Sequence, residues 1–92
     1  TIPRSLMKSP SLTELDLNYN RLRGTIPPFL SPFRAVYLSF NELEGTLPPI
    51  ASRALETLEL AQNNLNGTLE NLRGIVVRNL DLNYNKFTGE AA

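Results

Sequence analysis

The 92-residue chain contains no cysteine and no histidine. Without cysteine it can build neither a disulfide framework nor a thiolate metal site; this leaves the redox compartment open. Without either residue it cannot assemble a Ser-His-Asp or Cys-His constellation, or the common zinc ligand sets. Net charge is missing too: nine basic side chains balance nine acidic ones. A nucleic-acid footprint needs a basic excess on one face, so no nucleic-acid partner is expected. No apolar run approaches the roughly 20 residues of a membrane-spanning helix, and no targeting segment stands at Thr1. A chain of this length is at most one small domain, marginal in stability on its own.

What the chain does have is an internal repeat. Asn20, Asn41, Asn63 and Asn85 follow one another at intervals of 21, 22 and 22 residues. The first copy reads Leu12-x-x-Leu15-x-Leu17-x-x-Asn20-x-Leu22-x-Gly24-x-Ile26-Pro27. The second runs from Phe33 through Val36, Leu38, Asn41, Leu43 and Gly45 to Leu47-Pro48. The third runs from Leu55 through Leu58, Leu60, Asn63, Leu65 and Gly67 to Leu69, and the fourth from Val77 through Leu80, Leu82, Asn85 and Phe87 to Gly89. Thr1-Ile2-Pro3 matches Thr25-Ile26-Pro27, so residues 1–11 read as part of an earlier copy.

The period-two step Leu15-x-Leu17 predicts a short strand with one buried face. Val36-x-Leu38 then lies alongside it, about 4.8 Å away in the hydrogen-bonding direction. Stacked coils make a parallel sheet. Asn20, Asn41, Asn63 and Asn85 fall where the chain turns inward, and their amides are expected to form a structural ladder that satisfies backbone groups. Gly24, Gly45, Gly67 and Gly89 mark a second bend, which only glycine enters freely. Pro27, Pro28, Pro48 and Pro49 stiffen the extended stretch that follows.

The motif resembles the plant-type leucine-rich repeat, LxxLxLxxNxLxGxIP, over nearly the whole chain. The resemblance implies an α/β-type, right-handed, curved solenoid with short parallel strands on the concave face. Its convex side would be extended or 3₁₀, with little or no α-helix. It also implies ligand or co-receptor binding, as in receptor-like kinases and receptor-like proteins. The copies are shorter than the usual plant-type length of about 24 residues. The trimming lies after the Ile/Leu-Pro step and leaves room for little more than a turn of 3₁₀ helix. The repeats are placed at about 12–32, 33–54, 55–76 and 77–92, after the partial copy 1–11. With no polar cap at either end, residues 1–92 are expected to be an internal segment of a longer protein.

Aligning the copies laterally sorts the charges. Arg34–Glu56–Arg78, Arg21–Glu42 and Arg23–Glu44 fall side by side as opposite charges, which predicts lateral ion pairs that help register, each worth about 0–1 kcal/mol. The concave rows differ. Asp16, Tyr37, Glu59 and Asp81 point out between the strand leucines, Tyr19, Phe40, Gln62 and Tyr84 come just beyond, and Glu14 flanks the same face. Glu59 and Asp81 are neighbours of like sign, an arrangement that destabilises a sheet. Exposed aromatics beside charge are typical of interface anchors. Glu14, Asp16, Tyr19, Tyr37, Phe40, Glu59, Asp81 and Tyr84 are therefore the candidate partner-binding residues, for a basic or polar protein or peptide. The alternative is that these positions are only solvated and that the acids limit edge aggregation.

Asn66-Gly67-Thr68 is an N-glycosylation sequon, although the coil itself calls for Gly67. Glu59 and Asp81 are close enough in pattern to suggest a carboxylate pair, but they lie on an open face with no pocket to desolvate them. No enzyme and no cofactor is expected. Two functions remain: recognition through the concave surface, or a structural segment of a larger assembly. Repeat type and sequon favour an extracellular or lumenal location, with an intracellular one open.

Overall fold

The computed structural model describes residues 1–88. The expected bend at Gly89 lies outside the described residues. Helix α1 (Arg4–Met7) is a single turn. The strands follow in chain order as β1 (Glu14–Asp16), β2 (Arg23–Gly24), β3 (Ala35–Tyr37), β4 (Glu42–Thr46), β5 (Thr57–Glu59), β6 (Asn64–Gly67), β7 (Asn79–Asp81) and β8 (Lys86–Phe87). A 3₁₀ turn occupies Glu70–Leu72. The result is a parallel-strand solenoid of about four turns with almost no helix, as the repeat predicts.

The first sheet has the order β1-β3-β5-β7. Its register follows the repeat: Leu15 faces Val36, Val36 faces Leu58, and Leu58 faces Leu80. Inside it lies one core. Val36, Leu38, Leu58 and Leu60 are fully buried, as are Leu43, Leu65, Phe29 and Phe33 from the other walls of the coil. Burying each such side chain contributes about 1.5–3 kcal/mol. The core thins in the fourth coil, where Leu80 is 45% exposed.

A second parallel sheet, β2-β4-β6-β8, was not expected from the motif. It forms because the descending stretch also alternates: Leu43 is buried between exposed Glu42 and Glu44, and Leu65 between exposed Asn64 and Asn66. Its register is offset by two residues from repeat equivalence. Gly24 faces Leu43, and Gly45 faces Leu65. This offset corrects part of the charge pairing. Arg23 faces Glu42, and their side chains meet at 3.3 Å. Glu44 faces Asn64 instead. Neither Arg21–Glu42 nor Arg23–Glu44 forms an ion pair among the described residues. On the first sheet, which keeps repeat register, Arg34 and Glu56 do pair, at 3.1 Å. Arg78 does not join them.

The trimmed convex side also explains its own structure. Ten positions separate Ile2 from Leu12, enough for the α1 turn, but only seven separate Ile26 from Phe33 and eight separate Leu47 from Leu55. The shorter segments run extended and hydrogen-bond to one another. Phe29 and Ile50 form a parallel bridge, with Phe29 N–H donating to Pro49 O at 2.9 Å and Ala51 N–H to Phe29 O at 2.8 Å.

Candidate functional site

The inward turn after each strand of the first sheet fixes the candidate surface. Asn41 sits at its centre. Its Nδ2 donates to the carbonyls of Leu38 and Ser39 in its own coil and of Leu17 in the coil before, while its Oδ1 accepts from Leu22 N–H at 3.1 Å. Asn63 and Asn85 repeat the arrangement, accepting from Leu43 and Leu65. Asn20 bonds only within its own coil, to Leu17 O and Asn18 O. Asn41, Asn63 and Asn85 thus link successive coils and Asn20 does not, and no buried side-chain polar atom among the described residues lacks a partner.

The residue just before each ladder asparagine lies in the left-handed region: Tyr19 at φ 58°, Phe40 at 60°, Gln62 at 59° and Tyr84 at 59°. This conformation costs a non-glycine residue about 1–3 kcal/mol and persists only where its surroundings impose it. Here the asparagine amide and lateral bonds impose it, Tyr19 N–H donating to Ser39 O and Phe40 N–H to Ala61 O. Three of the four positions nevertheless hold aromatics, and all three are exposed, Tyr19 at 74%, Phe40 at 43% and Tyr84 at 75%. Tyr19 and Phe40 stack face to face, with centroids 4.5 Å apart and planes 9° from parallel. Their exposure was legible in the sequence; their backbone conformation was not. Its one signal was their fixed place before the ladder asparagine, where glycine or asparagine would be the easy choice.

Asp16, Tyr37, Glu59 and Asp81 form one lateral row, as expected. Tyr37 is half-buried between Asp16 and Glu59. The acids are not equivalent. Asp16 Oδ1 accepts the backbone N–H of Asn18, and Asp81 Oδ1 that of Asn83, each at 3.1 Å. The carboxylates of Glu14 and Glu59 have no hydrogen-bond or ion-pair partner among the described residues. Asp81 is therefore turned along its own chain, which supplies a structural reason for an acid beside Glu59.

Residues 11–33 match the family model described as Leucine Rich Repeat. This stretch is similar to a leucine-rich repeat. The later coils of the solenoid carry the same positions in the same places. No curated protein and no solved structure matches the chain. Leucine-rich-repeat domains generally mediate protein–protein interaction, and the solenoid is typically a binding scaffold without catalysis. No helix among the described residues is long and apolar enough to cross a membrane. Asn66 of the sequon is exposed on β6, between Thr46 and Lys86 of the neighbouring coils, and Thr68 is exposed beside it.

Proposed function

We propose that this leucine-rich-repeat solenoid is a recognition module for a protein or peptide, which it binds through its concave strand face. The observation that carries the reading is the row Tyr19, Phe40, Tyr84: large aromatics kept exposed at left-handed positions that do not favour them. Local strain and exposed apolar surface both cost stability, and binding sites are where such costs collect. Tyr37 is the central anchor, and Glu14 and Glu59 bring unpaired negative charge, which fits a partner with basic groups. Asp16 and Asp81 shape the surface and add charge, with part of their bonding capacity already used in the turn. A pull-down with the intact protein, followed by Tyr37→Ala and Glu59→Lys, tests this. Both substitutions should weaken capture of the same partner. Unchanged affinity for both would sink the reading.

The plant-type form of the motif and the exposed sequon favour a receptor-like protein of the extracellular or lumenal space, with a glycan on Asn66. Mass spectrometry of protein from its native source should show a mass on the Asn66 peptide that glycosidase treatment removes. A bare peptide would dismiss the glycan.

A further inference from the structure

On the flank where the chain climbs into the first sheet, a groove of about 530 Å³ is lined by Arg34, Arg53, Glu56, Val76 and Arg78 among others. Three guanidinium groups share it with one carboxylate. Glu56 is committed to Arg34 at 3.1 Å. Arg53 and Arg78 have no ion-pair partner among the described residues. In a chain of zero net charge, this concentrates two uncompensated positive charges in one depression. Like charges held together repel, and an anion relieves that repulsion.

A second feature, separate from charge, sets Arg53 in place. Ser31 and Ser52 stand five positions after Ile26 and Leu47, and each is buried with its hydroxyl donating to a backbone carbonyl, that of Leu6 and that of Phe33. The matching position in the next coil is Gly74, at φ +80°. This glycine stands outside the periodic set. A Cβ there would lie 3.1 Å from Nη1 of Arg53. The third coil thus gives up the serine bond, and the guanidinium rests where a side chain would crowd it. Beside it Val76 is 86% exposed, more than any other large apolar residue among those described.

We propose that this groove binds a dianionic phosphate monoester. Arg53 and Arg78 grip the phosphate oxygens with paired N–H donors, the geometry at which arginine excels. Arg34 stays on Glu56, and Val76 meets the organic group that carries the phosphate. The site lies apart from the row of aromatics and stands or falls independently of it.

The test is a shift titration of the ¹⁵N-labelled chain near pH 7.5, at ionic strength held constant with sodium chloride, using inorganic phosphate and phenyl phosphate. Saturable shifts are expected at residues 53–56 and 76–78, with phenyl phosphate the tighter of the two. Arg53→Gln and Arg78→Gln should each weaken binding by about ten-fold, the loss of one charge-assisted contact, with the spectrum elsewhere unchanged. Either variant suffices if the other fails to fold. Binding should also fade below about pH 6, where the ester takes up a proton. Shifts that never saturate, or that survive in the folded variant, overturn the site. Equal affinity for the two phosphates overturns the monoester assignment.

Discussion

The hydroxyl of Ser39 accepts the backbone N–H of Ala61, one coil later, at 3.0 Å. Asn18 Oδ1 does the same for Ser39 N–H at 2.7 Å. The residue after the strand leucines therefore serves the same residue of the next coil. Ala61 ends the relay, since a methyl group accepts nothing. In the next coil the N–H of Asn83 is instead taken by Asp81, two residues back. Asp16 takes that of Asn18. Asp81→Ala should then cost about 0.5–1.5 kcal/mol, the net worth of one hydrogen bond. Ala61→Ser should supply the missing acceptor and remove most of that cost. Urea unfolding of the two single variants and the double variant measures the coupling. Additive effects would show that Asp81 does not hold the turn.

The asparagine ladder predicts unequal costs for the same substitution. Asn41→Ala strips an acceptor from Leu22 N–H and donors from three carbonyls. The carbonyls keep other donors in Tyr19 N–H and the amides of Asn20 and Asn63, so Leu22 N–H is the group left unpaired, at a cost of about 1–3 kcal/mol. Asn20→Ala removes only two bonds at an exposed site, and water replaces them. Denaturant midpoints should fall much further for Asn41→Ala. Equal losses would mean that the ladder acts within coils and not between them.

The repeat was legible wherever one residue type does one job in every coil. Leucines at period two gave the first sheet its register, and asparagine at a fixed place gave the ladder. Pairing that depends on the register of the second sheet was not legible. Arg23 and Glu44 are repeat-equivalent, yet the two-residue offset of the second sheet brings Glu42 to Arg23. Roles set by a neighbour's missing atom were hidden too. Asp81 was expected only among the partner-binding acids, because its bond to the turn answers to Ala61, twenty residues earlier. At the candidate surface, exposure followed from pattern, whereas the left-handed turn at Tyr19 and Phe40 is imposed by bonds from other coils.

Gly45 meets two constraints that can be separated. Its φ is +85°, and an added Cβ would lie 2.8 Å from Cγ2 of Thr25 in the coil before. Gly45→Ala should therefore lose about 1–2 kcal/mol to the left-handed conformation and more to the clash. Thr25→Ser removes the methyl group that collides. In the Thr25→Ser background, thermal or urea unfolding should show a smaller penalty for Gly45→Ala, with the conformational part remaining. An unchanged penalty would assign the whole cost to the backbone.

Tyr84 gives the most direct link between strain and function. It is 75% exposed, lies at φ 59°, and among the described residues lacks the stacking partner that Tyr19 and Phe40 give each other. In the free protein its side chain adds little, while its backbone conformation costs about 1–3 kcal/mol. Asparagine tolerates that conformation better. Tyr84→Asn should raise stability by up to about 1 kcal/mol, seen as a higher urea midpoint at unchanged slope. If the row of aromatics is a recognition surface, the same variant should bind the captured partner more weakly, the trade of stability against activity expected at a functional site. Phe40→Asn provides the contrast, because it gains in the backbone but loses the stack on Tyr19, worth about 0.5–1.5 kcal/mol, and should gain less. A Tyr84→Asn variant that is stabilised and binds as before would leave the aromatic without a role in recognition.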